Sequence, residues 1–291
     1  MRRLMMARCG VCFRHCEISE GRTGFCGGRT CKNGTVQAAN YGVITGFALD
    51  PVEKKPLRNF YPGTRILSVG SYGCNLRCPF CQNYEISWSE QAMEYANEKH
   101  FVSPERLVEA AVQGRSRGNI GLAFTYNEPL IGYEFVRDTA KLIHKAGMVN
   151  VLVTNGTAEL SVLEEVGPFI DAMNIDLKGF TDRYYRDVLG GDLNMVKAFI
   201  SRAVELCHVE LTTLIIPGEN DTEEEMRGLS SWVADLQNIS CQQIGNTIPL
   251  HISRFFPRFH MTDRLPTDIR QIYRLAEVAR EKLDFVYTGN C

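Results

Sequence analysis

From about Arg65 onward the chain alternates short apolar, β-branched runs with longer segments whose apolar residues recur three and four positions apart. The strand-like runs are 65–70, 120–125, 149–154, 172–177, 209–216 and 250–255, with a weaker one at 285–288. Between them lie helical patterns at 104–117, 130–146, 159–166, 194–206, 222–237 and 266–282. Ser103-Pro104-Glu105 places a cap residue before a proline at the first helical position, Asp221 or Thr222 can cap another helix, and Gly147 stops a third. Such alternation requires parallel strands joined by right-handed crossovers. Six or seven units suit a partial (β/α)6-type TIM barrel. An open doubly wound sheet is the alternative with the same local pattern. In both, chemistry is expected at the C-terminal ends of the strands.

Residues 1–62 break this pattern. They are rich in Cys, Gly and Arg, and read as a small cysteine-rich metal-binding module ahead of a barrel domain over 63–291. A short strand pair is expected between Gln37 and Leu49. The chain has 11 cysteines in 291 residues, five of them in the first 31 positions and three between 74 and 81, with Cys207, Cys241 and Cys291 scattered. A disulfide framework belongs to short exported chains, whereas the start, Met1-Arg2-Arg3-Leu4, has no apolar core behind its charges. Clustered thiols therefore point to metal in a reducing, cytoplasmic setting. The net charge of −2 argues against DNA binding, and no apolar run has the ~18 residues of a membrane span.

The first barrel strand leads straight into Ser71-Tyr72-Gly73-Cys74-Asn75-Leu76-Arg77-Cys78-Pro79-Phe80-Cys81. At this chain's cysteine frequency a CxxxCxxC triple arises by chance only ~0.016 times. Three thiolates on one loop can hold three irons of a [4Fe–4S] cluster and leave the fourth iron open, the mark of a catalytic rather than structural metal site. A zinc knuckle completed from elsewhere is the plainer alternative.

This spacing after the first strand of a β/α barrel resembles the radical S-adenosylmethionine (SAM) enzymes. The resemblance implies that Cys74, Cys78 and Cys81 ligate the cluster, and that SAM chelates the fourth iron through its amino and carboxylate groups. It also implies a one-electron donor of the flavodoxin or ferredoxin type. SAM would then be cleaved to methionine and a 5′-deoxyadenosyl radical that abstracts hydrogen from a substrate.

Polar residues at later strand ends fit the same expectation. Glu128, in Thr125-Tyr126-Asn127-Glu128-Pro129, corresponds to a carboxylate that binds the SAM amino group in related enzymes, though a carboxylate at a helix start has its own macrodipole rationale. Asn155 lies in Thr154-Asn155-Gly156, and Asp176 and Lys178 in Asn174-Ile175-Asp176-Leu177-Lys178; these segments resemble glycyl-radical-enzyme activases. Val153 stands where some of those enzymes have a cation-binding carboxylate. Leu214–Asp221 resembles the family's IPG segment, and His251, alternating with Ser253, is expected near the adenosine. His15, His100, His144, His208 and His260 show no ligand pairing. Tyr84, Trp88, Tyr95 and Phe101 either line a substrate mouth or pack.

At the amino terminus Cys9, Cys12 and Cys16 form CxxCxxxC, and a Gly-rich loop lets Cys26 fold back on them. Four thiolates complete a closed site for zinc or an auxiliary iron–sulfur cluster, and spacing does not separate the two; free thiols in a small lid are the remaining reading. This module, with Leu49-Asp50-Pro51-Val52-Glu53-Lys54-Lys55-Pro56-Leu57 and Cys81-Gln82-Asn83-Tyr84-Glu85-Ile86-Ser87, resembles the AmmeMemoRadiSam-system radical SAM enzymes, which are related to pyruvate formate-lyase activating enzymes. Many such relatives continue into a cysteine-rich tail. The resemblance implies a peptide or partner protein as substrate. The alternatives are a glycyl-radical-enzyme activase and a non-catalytic Fe–S or zinc module.

Overall fold

The computed structural model describes residues 6–89, 92, 94, 101–239 and 248–291. Tyr95, His100 and Cys241, named above, lie outside them. Two short antiparallel pairs open the chain, β1 (Met6–Arg8) with β2 (Glu17–Ser19) and β3 (Arg29–Lys32) with β4 (Thr35–Ala38). β5 (Gly46–Pro51) then pairs antiparallel with β6 (Arg65–Gly70) along its whole length. Parallel strands follow in chain order: β7 (Asn119–Phe124), β8 (Val149–Thr154), β9 (Ala172–Asp176), β10 (His208–Ile215), β11 (Leu250–Arg254) and β12 (Val286–Gly289). The spatial order from β5 to β12 never reverses, which excludes a doubly wound sheet, whose order switches direction at its ligand crevice. The fold is a partial β/α barrel with β5 and β12 at its two edges.

The described helices are α1 (Tyr84–Ser87), α2 (Pro104–Gln113), α3 (Tyr133–Lys145), α4 (Leu160–Val166), α5 (Leu193–Ala203), α6 (Glu223–Ile239) and α7 (Ile269–Arg280). The capping signals act as the sequence reads. Ser103 accepts from the Arg106 amide ahead of Pro104, and the Thr222 hydroxyl accepts from the Glu225 amide. Gly147, at φ 67°, follows α3 in the left-handed conformation. The inner faces of these helices share one core with the strands. Cys9, Val11 and Ile18 of the amino-terminal segment belong to it too.

The expected boundary at residue 62 divides the chain by composition, and the eight-stranded sheet takes in β5 ahead of it. Gln37–Leu49 is not a strand pair, because β4 pairs with β3 while β5 pairs with β6 and opens the barrel sheet at Gly46. Residues 52–61 do a separate job: they close the amino-terminal end of the barrel. Val52, Leu57 and Ile66 pack with Ala123, Val151 and Ala172, and the Pro56 carbonyl accepts from Asn174 Nδ2 at 2.9 Å. Buried Lys55 pairs with Asp50 at 2.9 Å, and Asp50 also accepts from the Tyr126 hydroxyl at 3.0 Å.

His251, expected near the adenosine, belongs to the network around this plug. It is the second residue of β11, not a residue of its C-terminal end, and its Nε2 lies 2.6 Å from Glu210 Oε2. Glu210 is fully buried, meets His208 at 3.0 Å, and accepts from the amides of Arg58 and Asn59 at 2.9 and 2.8 Å. Asn59 in turn accepts from the Tyr287 hydroxyl at 2.7 Å. His251 thus fastens the plug to β10 and β11 through Glu210.

Burial opposes ionisation of Glu210, yet the bonds from His208, His251, Arg58 and Asn59 outweigh it and hold the carboxyl at about 2, against 4.5 ordinarily. The unfolded chain then binds more protons than the folded one between these values. Glu210 contributes stability that is fully present above about pH 4.5 and is lost as pH falls toward 2, of order 3 kcal/mol in all. Glu210→Gln is expected to lower the melting temperature at pH 7 and to flatten the acid limb of the stability curve. Thermal melts across pH 2–7 that stay parallel for the two chains would remove this role.

Candidate active site

At the opposite end of the barrel β6 runs into the loop carrying Cys74, Cys78 and Cys81. The turn into the loop needs glycine at position 73. Its φ is 89°, and a Cβ there would stand 2.6 Å from the Cys26 carbonyl oxygen and 2.7 Å from Ile131 Cδ1. That close approach lets the Cys74 amide donate to the Cys26 carbonyl at 3.2 Å. Asn75 is buried and donates to Thr157 Oγ1 at 2.8 Å while accepting from Asn155 Nδ2 at 2.9 Å. Asn155 also reaches Cys74 Sγ at 3.7 Å. Arg14 donates to the carbonyls of Asn75 and Gly190, each at 2.7 Å, and Arg77 to those of Cys74 at 3.1 Å and Phe25 at 2.9 Å. The loop is held from both sides, by the amino-terminal segment and by the ends of β7 and β8.

Burial raises all three thiols, that of Cys78 to about 11, and the neighbouring thiols and Glu128 add to the effect at Cys74. A bound metal would draw off the protons of these thiols. Among the described residues no three His, Cys, Asp or Glu side chains converge on the position of one ion. Three soft sulfur donors spread over one loop fit a polynuclear iron–sulfur group, one thiolate to each of three corners.

The expected supporting residues divide into two groups. Glu128 is only 3% exposed and accepts from the Leu130 amide at 3.1 Å, Thr154 Oγ1 at 2.8 Å and the Asn155 amide at 2.8 Å. Burial pushes its carboxyl up to about 7 against those bonds. Asn155 spends its side chain on Asn75, Cys74 and Thr157, the last two contacts at 3.7 and 2.5 Å. Both residues position the cysteine loop from the ends of β7 and β8.

Asp176 and Lys178 form the second group. They pair at 2.8 Å with side chains 32% and 17% exposed, so polar capacity is left over. Burial would lower the Lys178 ammonium, but Asp176 and Cys78 raise it above its ordinary value, and it stays charged beside Cys78 and Cys81. The Lys178 amide donates to Tyr185 Oη at 3.0 Å. The buried hydroxyl of Tyr184, which lies near Cys78 and Lys178, has no partner among the described residues.

Sequence reading missed Asn75, Arg77, Thr157, Arg14 and the two tyrosines. Asn75 and Arg77 lie inside the cysteine motif, where they could have been read as loop supports. Tyr184 and Tyr185 open a π-helical stretch, Tyr184–Leu189, a feature that propensity does not reveal. Of the aromatics expected at a mouth, Tyr84 stacks on Phe259 with centroids 4.6 Å apart, Trp88 lies under the Arg77 guanidinium, and Phe101 is exposed.

The amino-terminal cysteines also meet in space. Cys9, Cys12, Cys16 and Cys26 line one small cavity with Ile18 and Ile131. Cys31 is buried elsewhere, its thiol 3.8 Å from Glu20.

A barrel whose first parallel strand delivers three thiols to its C-terminal mouth, beside a part-exposed lysine–aspartate pair, has the donor set of an enzyme class built on a thiolate-held iron–sulfur group. The family model described as "Radical SAM superfamily" matches residues 68–229, and the chain belongs to that superfamily. An uncharacterized protein of Methanocaldococcus jannaschii is 39% identical over 97% of this chain and 81% of its own length. The pyruvate formate-lyase 1-activating enzyme of Escherichia coli is 25% identical over 61% of this chain and 72% of its own. Among solved structures, Streptococcus suis SuiB bound to S-adenosylmethionine gives a TM-score of 0.57 at 12% identity, with 78% of this chain and 52% of that one covered, a likeness of fold. The protein is a radical SAM enzyme, and its chemistry is SAM-dependent and radical. The non-catalytic alternative is set aside.

Gly73→Ala is expected to cost about 2 kcal/mol or more, because the left-handed backbone and the Cys26 carbonyl both oppose a Cβ. It should lower the melting temperature and cut the iron retained after anaerobic reconstitution. A variant that melts and loads iron like the parent would mean that the loop tolerates the shift.

Proposed function

We propose that the protein abstracts hydrogen from a peptide or partner protein, with Cys74, Cys78 and Cys81 as ligands of a [4Fe–4S] cluster and the Asp176–Lys178 pair as a polar anchor for SAM. When bound, this cofactor pair supplies one-electron cleavage of the sulfonium to a 5′-deoxyadenosyl radical. The chain's own part is to hold, orient and shield. Glu128 and Asn155 fix the cysteine loop, Lys178 keeps a positive charge beside two of its thiols, and the Tyr184 hydroxyl offers an unspent hydrogen bond. The single observation that carries the reading is the CxxxCxxC loop seated at the C-terminal end of the first barrel strand.

A chain-like substrate is supported by the sheet's shape and by the relatives. Among the described residues no strand covers the free edges of β5 and β12, and the slot between them is bridged at the closed end of the barrel by the Asn59–Tyr287 bond. SuiB has also been solved with its precursor peptide. A second reading, installation of a glycyl radical on a partner enzyme, is favoured by the Thr154-Asn155-Gly156 and Asp176-Leu177-Lys178 segments. It is favoured too by relatives named as pyruvate formate-lyase and glycyl-radical enzyme activating enzymes. A glycyl doublet in the EPR spectrum on mixing with a candidate partner separates it from the first. The four amino-terminal cysteines are read as a second metal site, and the electron is read as coming from a flavodoxin- or ferredoxin-type donor in the cytoplasm.

Reduced, reconstituted protein is expected to release 5′-deoxyadenosine from SAM, and Cys78→Ser to abolish that release. Lys178→Met, which removes a charge-assisted contact of about 1.5–3 kcal/mol, should weaken SAM binding roughly 10- to 100-fold. Intact SAM after dithionite reduction of iron-loaded parent protein would overturn the assignment.

A further inference from the structure

Arg77 stands inside the cysteine loop, one residue before Cys78. Its guanidinium donates to the Cys74 carbonyl at 3.1 Å and to the Phe25 carbonyl at 2.9 Å. It also lies over the rings of Phe25 and Trp88, at 4.2 and 2.8 Å from their centroids. Arg14 approaches from the amino-terminal segment. Its guanidinium is 3.5 Å from the centroid of the same Phe25 ring and donates to the carbonyls of Asn75 and Gly190. Two guanidinium groups, neither of which gives up its charge at neutral pH, thus share one aromatic ring beside the loop.

Like charges brought together repel unless anions face them. Among the described residues the ionisable groups that act most on Arg14 are the thiols of Cys12, Cys16, Cys74 and Cys26. Those that act most on Arg77 are the thiols of Cys74 and Cys26 and the Arg14 guanidinium itself, and no carboxylate is among either set. Backbone carbonyls alone would be served as well by a neutral amide. A cation is called for where the loop itself turns negative, which is what loss of thiol protons to a metal brings about. The Cys74 sulfur has donors of its own, the Leu76 amide at 3.5 Å and Asn155 Nδ2 at 3.7 Å. Hydrogen bonds to sulfur and positive charge nearby both favour the more negative, reduced state of an iron–sulfur group and so raise its potential.

We propose that Arg77, backed by Arg14, sets the reduction potential of the metal group held by Cys74, Cys78 and Cys81. The proposal rests on the reading of that loop as a [4Fe–4S] site. Reduction brings one further negative charge to the loop, supplied by a one-electron protein donor that is itself oxidised, and the two guanidinium groups stabilise that charge. Arg77 is exposed as a residue, but the rings of Phe25 and Trp88 shield its charged end from part of the solvent, which keeps the charge effective. It touches no reacting atom and acts through the cysteine loop alone. Without its charge the group is harder to reduce, and a donor of fixed potential delivers fewer electrons to it.

The full-length parent, Arg77→Gln and Arg77→Lys, reconstituted anaerobically with iron and sulfide, are compared by redox titration without SAM, the reduced state being followed by EPR. Arg77→Gln keeps an amide donor and removes the charge. At the parent's midpoint its reduced-to-oxidised ratio is expected to be about tenfold lower, a shift of about 59 mV to more negative potential for one electron. Arg77→Lys keeps the charge, loses the planar fork, and is expected to titrate with the parent. Equal midpoints for Arg77→Gln and the parent, at equal iron content, overturn the proposal. An equal fall in both variants overturns it too, because the lost fork would then account for the effect. Should Arg77→Gln alone fail to hold iron, Arg14→Gln replaces it, with the same expectation and the same overturning result. If neither Arg77 variant holds iron, Arg77 is a scaffold residue and the proposal fails. A parent without a cluster signal overturns the cluster reading and this inference together. An iron-loaded parent that leaves SAM intact, with the Arg77→Gln shift present, overturns the enzymatic reading and upholds this one.

Discussion

Three thiols that must face one metal group cannot set their own positions, because the loop that carries them has no regular hydrogen-bond ladder. Here the constraint is backbone contact with a distant part of the chain. The Cys74 amide is satisfied by the Cys26 carbonyl, and only glycine at position 73 allows the two segments that close. The neighbouring side chains extend the constraint. Asn75 ties the loop to Thr157 and Asn155, and Arg14 ties it to Gly190 across the barrel mouth. A buried polar network of this kind specifies one arrangement because each unpaired member would cost the full penalty of its desolvation. The amino-terminal segment is part of the active-site scaffold and not an independent appendage.

Two buried glutamates show how the barrel divides its work. Glu210, at the closed end, meets two histidines and two backbone amides and is held at about 2. Glu128, at the mouth, meets two amides and a hydroxyl but no cation, and burial lifts it to about 7. The same side chain in the same barrel differs by several pH units because four hydrogen bonds overcome burial at Glu210, whereas burial outweighs three at Glu128. The first is a stability device. The second sits where its protonation state feels whatever charge arrives at the cysteine loop. This matches the division in β/α barrels between a stabilising amino-terminal face and a reactive carboxy-terminal one.

Much of this was legible in the sequence because it rests on short-range pattern. Strand–helix alternation gave the seven parallel strands, and Ser103-Pro104 and Thr222 gave two helix starts. The cysteine loop was legible because strand-end position and spacing are both local. Register around a curved sheet is not local, which is why His251 read as a mouth residue although it sits near the start of its strand. Leu49–Leu57 was noticed as a family-like segment, but its task as a barrel plug depends on Glu210 and Asn174, more than a hundred residues away. Glu128 and Asn155 read as cofactor ligands from strand-end polarity, which is local, whereas their bonds to Thr154, Asn75 and Thr157 depend on how neighbouring strand ends and the cysteine loop meet.

The incomplete barrel bears on what can reach the reactive end. In a closed barrel a substrate enters only along the axis. Among the described residues β5 and β12 are both edges of this sheet, and the segment that plugs the closed end reaches β12 there through Asn59 and Tyr287. An incomplete barrel leaves a slot between its edge strands. An extended backbone can enter such a slot from the side and place a single residue at the mouth without threading a terminus, and an unpaired strand edge offers it a row of backbone partners. The same unpaired edges are a liability for a chain left without an occupant. Exposed Phe47 on β5 adds to that liability. Access for the chain-like substrate proposed above is one use of such an edge, and an occupant pairing with it would remove the liability.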